Sequence, residues 1–463
     1  MKFPKIQRIH FVGIGGSGMN GIAEVLLNQG YRVSGSDLAD SEVTRRLARL
    51  GATVVRGHRA ENVADAQVVV VSTAVGNDNV EVQAARQAGI PVIQRAEMLA
   101  ELMRMKHGIA VAGAHGKTTT TSLVATVLGE GGLDPTVVIG GRLNQYGSSA
   151  KLGKGRFMVA EADESDGSFL KLSPTVAVIT NLDQEHLDHY KDMEAIRHAF
   201  LDFAGKVPFY GAVILCLDEP ELQALLPAID KRTITYGFTP QADLRAETLN
   251  LSPNGARFSA VFRGEPLGEF TVPLTGRHNA HNAMAAICVG LELEVPVDVI
   301  RESLAQFSGV ARRFERKGEV NGITVVDDYG HHPTEVKAIL AAARESFPER
   351  RLVVIFQPHR YTRTRDQQSG FAQAFHSADS LLLMDIYAAG ETPIEGISSA
   401  ALLEQIQGYG HRDARLLPGP DDVLAYLKET AAPGDVILTL GAGDVWKLGE
   451  AFLAAHQAEA RAE

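Results

Sequence analysis

The stretch from Ile109 to Leu128 restricts the possible folds more than any other part of the chain. Ile109 to Ala112 is a short apolar run of the kind that forms a buried strand. Gly113 to Gly116 turn the chain, and Lys117 with its run of threonines opens a helix through Leu128. A strand, a glycine corner and a helix in that order build one unit of a parallel α/β sheet. Backbone N–H groups at such a helix start point at an anion, and the helix dipole favours negative charge there. Lys117 can reach terminal phosphates, and the Thr118 hydroxyl can take Mg²⁺. The full P-loop pattern begins with a glycine where this chain has Val111, leaving the shorter Gly-x-x-Gly-Lys-Thr. Nucleotide triphosphate binding is the expectation, weighed against a helix that merely begins with Gly-Lys-Thr.

The same alternation recurs along the chain. Arg8 to Val12 reads as a strand, Gly13 to Gly18 as a turn, Met19 to Asn28 as a helix, and Tyr31 to Ser34 as a second strand running on to Ser36 and Asp37. Gly-x-Gly-x-x-Gly after a strand, with Asp37 near the end of the next, fits a dinucleotide fingerprint. It would suit NAD, with Asp37 on a ribose hydroxyl, and equally the pyrophosphate of another nucleotide. A central segment has strands at Phe157–Ala160, Thr175–Thr180 and Ala212–Leu215, then a β-rich part over 233–273. A last segment has strands at Ile323–Val326, Leu352–Phe356, Ser380–Met384 and Val436–Leu440. The expected fold class is α/β in three domains. These are a Rossmann-like domain over 1–106, a central P-loop ATPase-type domain with a parallel sheet and a small β part over 107–311, and a Rossmann-like domain over 312–463.

Ligands in such sheets sit beyond the carboxyl ends of the strands, and the polar clusters fall there. Glu161 directly follows an apolar strand, where a carboxylate can hold Mg²⁺, with Glu164 the competing candidate. His186 follows the next strand, but Mg²⁺ prefers oxygen, so spacing alone gives this histidine no metal role. Asp327 to Pro333 and Gln357 to Arg365 follow later strands. The second of these, with four basic side chains, reads as an anion site, since arginine suits carboxylate and phosphate. A net charge of −11 argues against nucleic acid as partner. No apolar run approaches a membrane span, and Met1 to Gln7 leads into a strand without a signal peptide. The two cysteines, Cys216 and Cys288, stand in apolar surroundings and read as buried reduced thiols of a cytoplasmic protein.

Taken together, these motifs resemble the Mur ligases along essentially the whole chain. The resemblance is carried by His10 to Met19, His115 to Thr118, Glu161 to Asp166, Asn181 to Asp188, Gly276 to Asn279, Asp327 to Pro333 and Gln357 to Arg363. It implies domains for a UDP-sugar, ATP and an amino acid. It also implies that ATP phosphorylates the lactyl carboxylate of UDP-N-acetylmuramate and that the amine of L-alanine attacks the acyl phosphate. On this resemblance Gly113, Ala114, His115, Gly116, Lys117, Thr118, Thr119 and Asn279 would bind ATP. Lys117 would steady the β- and γ-phosphates, and Thr118, Glu161 and His186 would hold Mg²⁺. Gly15, Gly16, Ser17, Gly18, Met19, Asp37, Ser72 and Thr73 would face the UDP part. Tyr329, His331, His359, Arg360 and Arg363 would take L-alanine, and Lys117, Glu161, His186, Arg360 and Arg363 would carry the chemistry. No nucleic acid and no membrane enter this scheme, and the assembly would be a monomer or a homodimer.

Two features depart from the family pattern. Residue 114 is alanine where a threonine is expected, so a hydroxyl contact is lost. Some members carry a carbamylated lysine after the metal histidine, and the matching segment here, Ala199 to Asp202, has none. Rival readings are a sister ligase that attaches a recycled tripeptide, an NAD-dependent dehydrogenase and a non-catalytic nucleotide sensor. Gly15 to Met19 favours the alanine branch over the tripeptide one.

Overall fold

A computed structural model describes residues 6–16, 18–72, 74–143, 148–186 and 189–462. The architecture is three-domain α/β, built on three sheets. The first sheet contains β1 (Arg8–Val12), β2 (Arg32–Asp37), β3 (Thr53–Arg56), β4 (Val68–Val71) and β5 (Val92–Gln94), in the order β3-β2-β1-β4-β5, all parallel. The strand order reverses at β1, and beyond the carboxyl ends of the two strands at such a switch point, here β1 and β4, is where parallel sheets bind ligands. Val12, Val69, Val71, Val82 and Ala85 form a core on one of its faces.

The second sheet contains β6 (His107–Ala112), β7 (Thr136–Leu143), β8 (Ser148–Lys151), β9 (Phe157–Glu161), β10 (Val176–Ile179), β11 (Ala212–Cys216), β12 (Thr233–Gly237), β13 (Leu244–Ser252), β14 (Gly255–Phe262) and β15 (Glu265–Val272). Its order is β15-β14-β13-β12-β11-β10-β6-β9-β7-β8. β6 lies between β10 and β9 and is parallel to both. Its residues Ile109 to Ala112 are almost fully buried, as expected of a strand covered on both faces. The helix Lys117–Leu128 is buried through nearly its whole length, its threonines included. Cys216 closes β11 and Cys288 lies in the helix Arg277–Glu292; both are buried free thiols.

The third sheet contains β16 (Glu315–Val320), β17 (Ile323–Asp328), β18 (Leu352–Phe356), β19 (Ser380–Leu383), β20 (Ala414–Leu416) and β21 (Val436–Leu440), ordered β16-β17-β21-β18-β19-β20. β16 is antiparallel to β17 and the rest are parallel. Apolar clusters cover both faces, one around Phe356, Phe371 and Phe375 and the other around Ile355, Leu448 and Phe452. By contacts the chain divides into two units. One is Met1–Thr248, Phe258–Phe270 and His281–Ser308, and the other is Leu249–Arg257, Thr271–Ala280 and Gly309–Glu463. β1 to β12 belong to the first unit and the third sheet to the second, while β13 to β15 are shared between them.

Candidate active site

The loop after β6 is shaped by close approaches that only glycine allows. Gly113 has φ +131°, and a Cβ there would lie 2.1 Å from Thr180 Oγ1. Gly116, at φ +82°, would place a Cβ 2.6 Å from Asn282 Oδ1. The end of β10 holds the loop from below. Asn181 accepts from Ala114 N through its carbonyl at 3.1 Å and from His115 N through Oδ1 at 2.8 Å. Thr180 Oγ1 donates to His115 O at 2.6 Å. The His115 ring pairs with Asp183 at 2.8 Å. Gly116 caps the following helix in the left-handed conformation without a side-chain hydrogen bond. The amides of that first turn are therefore left to an anion, and Thr118 and Thr119 are buried beside them.

Lys117 Nζ donates to Gly113 O at 2.6 Å, Ala114 O at 3.1 Å and Glu164 Oε1 at 2.8 Å. Burial alone would lower its pKa, but the charges of Glu164, Asp163 and Glu185 raise it and keep it protonated. Glu164 is itself 4% exposed, and burial pushes its carboxyl up to about 7 despite Lys117. Its Oε2 is buried with no hydrogen-bond partner among the described residues. Glu164, Glu185 and His186 bring a ligand atom each to within 4.8 Å of one another. His186 Nε2 is 3.8 Å from an oxygen of each carboxylate, and His186 holds φ +56°, uncommon for a residue with a side chain. Ala114, Glu164, Glu185, His186 and Tyr190 line one small cavity. An orphaned buried carboxylate oxygen beside a second carboxylate suits a hard divalent cation. Of the metal residues expected from sequence, His186 lies in this cluster. Glu161 ends β9 outside it, with its carboxylate beside Gly140. The strand-end argument favoured Glu161; the turn that follows carries Glu164 under Lys117.

The first glycine loop is organised differently. Gly13 N and Ile14 N donate to Ser36 O at 2.8 and 3.0 Å. Asp37 accepts from Gly15 N at 2.9 Å through one oxygen and from Ala39 N at 3.1 Å through the other. Its carboxylate thus braces the loop, where a dehydrogenase reading would aim it at a ribose. Gly18, at φ +75°, precedes the helix Met19–Asn28, again without a side-chain cap. Ser72 follows β4 and is half-buried; Ser17 and Thr73 lie outside the described residues. Beneath the loop sits a fully buried carboxylate, Glu81, that sequence reasoning missed. It accepts from Ser36 Oγ at 2.5 Å and Asn62 Nδ2 at 2.5 Å, with His58 Nδ1 at 3.1 Å and His10 Nε2 at 3.7 Å. Burial would raise its pKa, but hydrogen bonds from His10, Ser36 and Asn62 lower it to about 2.

In the second unit, β17 and β18 flank β21, so the loops after them stand on either side of one strand. Asp328, buried at the end of β17, accepts from Phe314 N at 2.7 Å and Gly330 N at 2.6 Å and so fixes the turn at Tyr329. Arg312 and Arg313 lie over the Tyr329 ring at 5.0 and 5.3 Å. The His331 ring is 5.3 Å from Tyr329, edge-on, and 6.0 Å from His359. His359 stacks on Tyr387 at 5.6 Å and sits 3.3 Å from Arg363 Nη1. Arg360 heads the helix Tyr361–Asp366 at φ +71° and donates its amide to Tyr387 O at 2.9 Å. Burial, with Arg363 and His359 nearby, lowers His331 to about 3. Burial, with Arg363 and Arg360, lowers His359 to about 4. Two imidazoles that burial holds toward the neutral form and the Arg363 guanidinium thus cluster, with Arg360 next to them in the chain, a set suited to a carboxylate next to an amine. Tyr387 belongs to this group and carried no sequence signal. Asn279 reaches back to Thr275 O at 2.8 Å, whereas Asn282, which accepts from Thr120 Oγ1 at 3.1 Å, is the residue of that helix on the Gly116 loop.

Comparison with known proteins agrees with this geometry. Residues 8–107 match the Mur ligase family catalytic domain, 111–290 the Mur ligase middle domain and 312–443 the Mur ligase glutamate ligase domain. A UDP-N-acetylmuramate–L-alanine ligase of Geobacter sp. (strain M21) is 58% identical over 451 residues, 97% of this chain and 98% of the relative. A relative of the same name from Anaeromyxobacter sp. (strain Fw109-5) is 60% identical over 446 residues, covering 96% of this chain and 97% of that one. The crystal structure of a UDP-N-acetylmuramate–alanine ligase from Thermotoga maritima superposes with a TM-score of 0.83 at 29% identity, covering 98% and 99% of the two chains. A murein peptide ligase from Psychrobacter arcticus gives a TM-score of 0.72 at 26% identity, over 97% and 98%. Matches of this identity along nearly the whole length, with family models over each of the three sheets, make the chain a member of the Mur ligase family.

Proposed function

We propose that the chain is an ADP-forming ligase that joins L-alanine to the lactyl carboxylate of UDP-N-acetylmuramate in peptidoglycan precursor synthesis, in the cytoplasm, as a monomer or homodimer. ATP is the co-substrate. The reading is supported by the names of relatives near 60% identity and, in the structure, above all by Lys117. It stands at an uncapped helix start, bonded to Glu164 beside Glu185 and His186.

Residues 1–106 would hold the UDP-sugar, 107–311 the ATP and 312–463 the amino acid. Gly15, Gly16, Ser17, Gly18 and Met19 would take the UDP diphosphate, with Ser72 and Thr73 beside it and Asp37 bracing the loop. Gly113, Ala114, His115, Gly116, Thr118 and Thr119 would cradle ATP by their backbone and hydroxyl groups, with Asn279 toward the nucleotide. Lys117 would exchange Glu164 for the transferring phosphate, neutralising charge that spreads over its oxygens. Mg²⁺, when bound, would neutralise the rest of that charge. Thr118, His186 and a carboxylate would hold it, Glu161 by its place in the family and Glu164 by the geometry. Phosphorylation turns a carboxylate oxygen into a leaving group, and the amine then displaces it. His331, His359, Arg360 and Arg363 would fix the alanine carboxylate, with Tyr329 lining the same pocket. Neutral imidazoles there leave the arginines as the positive groups facing that carboxylate.

Phosphate release tests the whole scheme. Full-length protein with ATP, Mg²⁺ and UDP-N-acetylmuramate is assayed with L-alanine, with the murein tripeptide and with no acceptor. Release that needs the sugar and L-alanine together is expected. Release only with the tripeptide would move the chain to the recycling branch, and none under any condition would discard ligation.

A further inference from the structure

Arg95 is the first residue of the helix Arg95–Arg104, just after the edge strand β5. It follows no glycine motif, and nothing in its neighbourhood of the sequence marks it. In the fold its guanidinium lies across the first glycine loop. A Cβ built on Gly18 would sit 2.6 Å from Arg95 Nη1 and 3.5 Å from its Cζ. The other face of the same group donates from Nη2 to Asp163 Oδ2 at 3.0 Å. Arg95 therefore stands between the helix start at Gly18 and the acidic turn that begins the phosphate-transfer cluster. Its side chain is 23% exposed and that of Asp163 41%, so solvent and a ligand can reach the pair.

The arrangement repeats, one residue along, the pairing of Lys117 with Glu164. Asp163 and Glu164 each hold one cation: Lys117 opens the helix that Gly116 caps, and the Arg95 guanidinium lies against Gly18, the N-cap of Met19–Asn28, neither glycine having a side chain to cap with. The Asp163 carboxylate is in contact with a guanidinium that is pressed against a glycine loop. The fork of Arg95 matches paired phosphate oxygens, and a diphosphate at the loop would share or take it from Asp163.

We propose that Arg95 binds the diphosphate of the UDP-sugar at the Gly18 helix start, with Asp163 as its competing carboxylate partner. This rests on the UDP-sugar reading above. The competition gives opposite signs to two substitutions that a purely structural ion pair would affect alike. The test is calorimetric binding of UDP-N-acetylmuramate and of UDP to the full chain without ATP, for the unsubstituted protein, Arg95→Ala, Arg95→Lys and Asp163→Asn. Arg95→Ala should weaken both ligands by about tenfold or more, with Arg95→Lys between. Asp163→Asn should bind them at least as tightly as the unsubstituted protein. A similar loss in Arg95→Ala and Asp163→Asn would reduce the pair to a structural link and overturn the proposal. So would Arg95→Ala binding within twofold of the unsubstituted chain, or a loss for UDP-N-acetylmuramate with none for UDP. If the unsubstituted chain binds neither ligand, the UDP-sugar reading fails first and this one with it. Circular dichroism spectra and cooperative thermal unfolding, unchanged across the set, confirm that each variant is folded.

Discussion

The two glycine loops of this chain use one backbone device and complete it in different ways. Each follows a strand, each ends in a left-handed glycine, and each leaves the next helix without a side-chain cap. The loop at Gly113 to Gly116 has its cation in the first residue of its own helix, Lys117, and its brace one strand away at Thr180 and Asn181. The loop at Gly13 to Gly18 is braced by Asp37 and, through Ser36, by buried Glu81, and its nearest cation comes from the far edge of the sheet at Arg95. A local motif can therefore announce the parts of one proposed anion site in full and those of the other only in part.

Breaking the cation that the motif does announce should have the largest effect. Lys117→Ala is expected to lower ligase turnover by about a thousandfold or more, the scale of losing a charge at a transferring phosphate. UDP-N-acetylmuramate binding should survive. Steady-state phosphate release and calorimetry on the same preparation check both halves, and near-normal turnover would remove Lys117 from the chemistry.

The braces give the next contrast. Glu81 is held at about 2, below its ordinary value of 4.5. A depressed carboxyl pKa stabilises the fold at neutral pH, and that stability is lost as pH falls from about 4.5 towards 2. Glu81→Gln should cost about 3 kcal/mol at pH 7, from 1.36 kcal/mol per pKa unit, and should flatten the acid limb of the stability curve. Urea unfolding from pH 7 to pH 3 reads both; an unchanged curve would show that the first loop does not depend on its buried carboxylate.

The glycines separate the loops on a finer scale. Gly113→Ala meets Thr180 and Asn181 as well as an unfavourable φ, and should cost about 2–3 kcal/mol. Gly13→Ala at φ +76° meets nothing within 4 Å and should cost about 1 kcal/mol. Equal losses in denaturant would mean that backbone conformation alone, and not packing against a neighbouring strand, demands the glycines.

What could be read in advance follows the same division. Strands buried on both faces, such as Ile109–Ala112 and Leu352–Phe356, stand out as unbroken apolar runs, and the parallel α/β class follows from their alternation with helices. β16 gave no such signal, because Glu315 to Val320 is a polar edge strand with a single buried residue. Lys117, His331, Arg360 and Arg363 sit beside recognisable turns. Glu161 and Glu164 stay alternatives in the sequence, since strand position cannot tell which way a short acidic turn will fold. Glu81, Arg95 and Tyr387 act through partners far away in the chain: Ser36 for Glu81, Gly18 for Arg95 and His359 for Tyr387. Only the closed sheets bring those pairs together.

The buried cysteines have a practical use. Burial pushes the Cys216 thiol up to about 12 and the Cys288 thiol well above its ordinary range, so neither offers a thiolate to a reagent while its surroundings stay closed. Both belong to the first unit, one closing β11 and the other in the helix Arg277–Glu292. The rate at which a thiol dye modifies the chain is thus a stopwatch for opening of that unit. It can be timed against nucleotide concentration without adding any label to the protein.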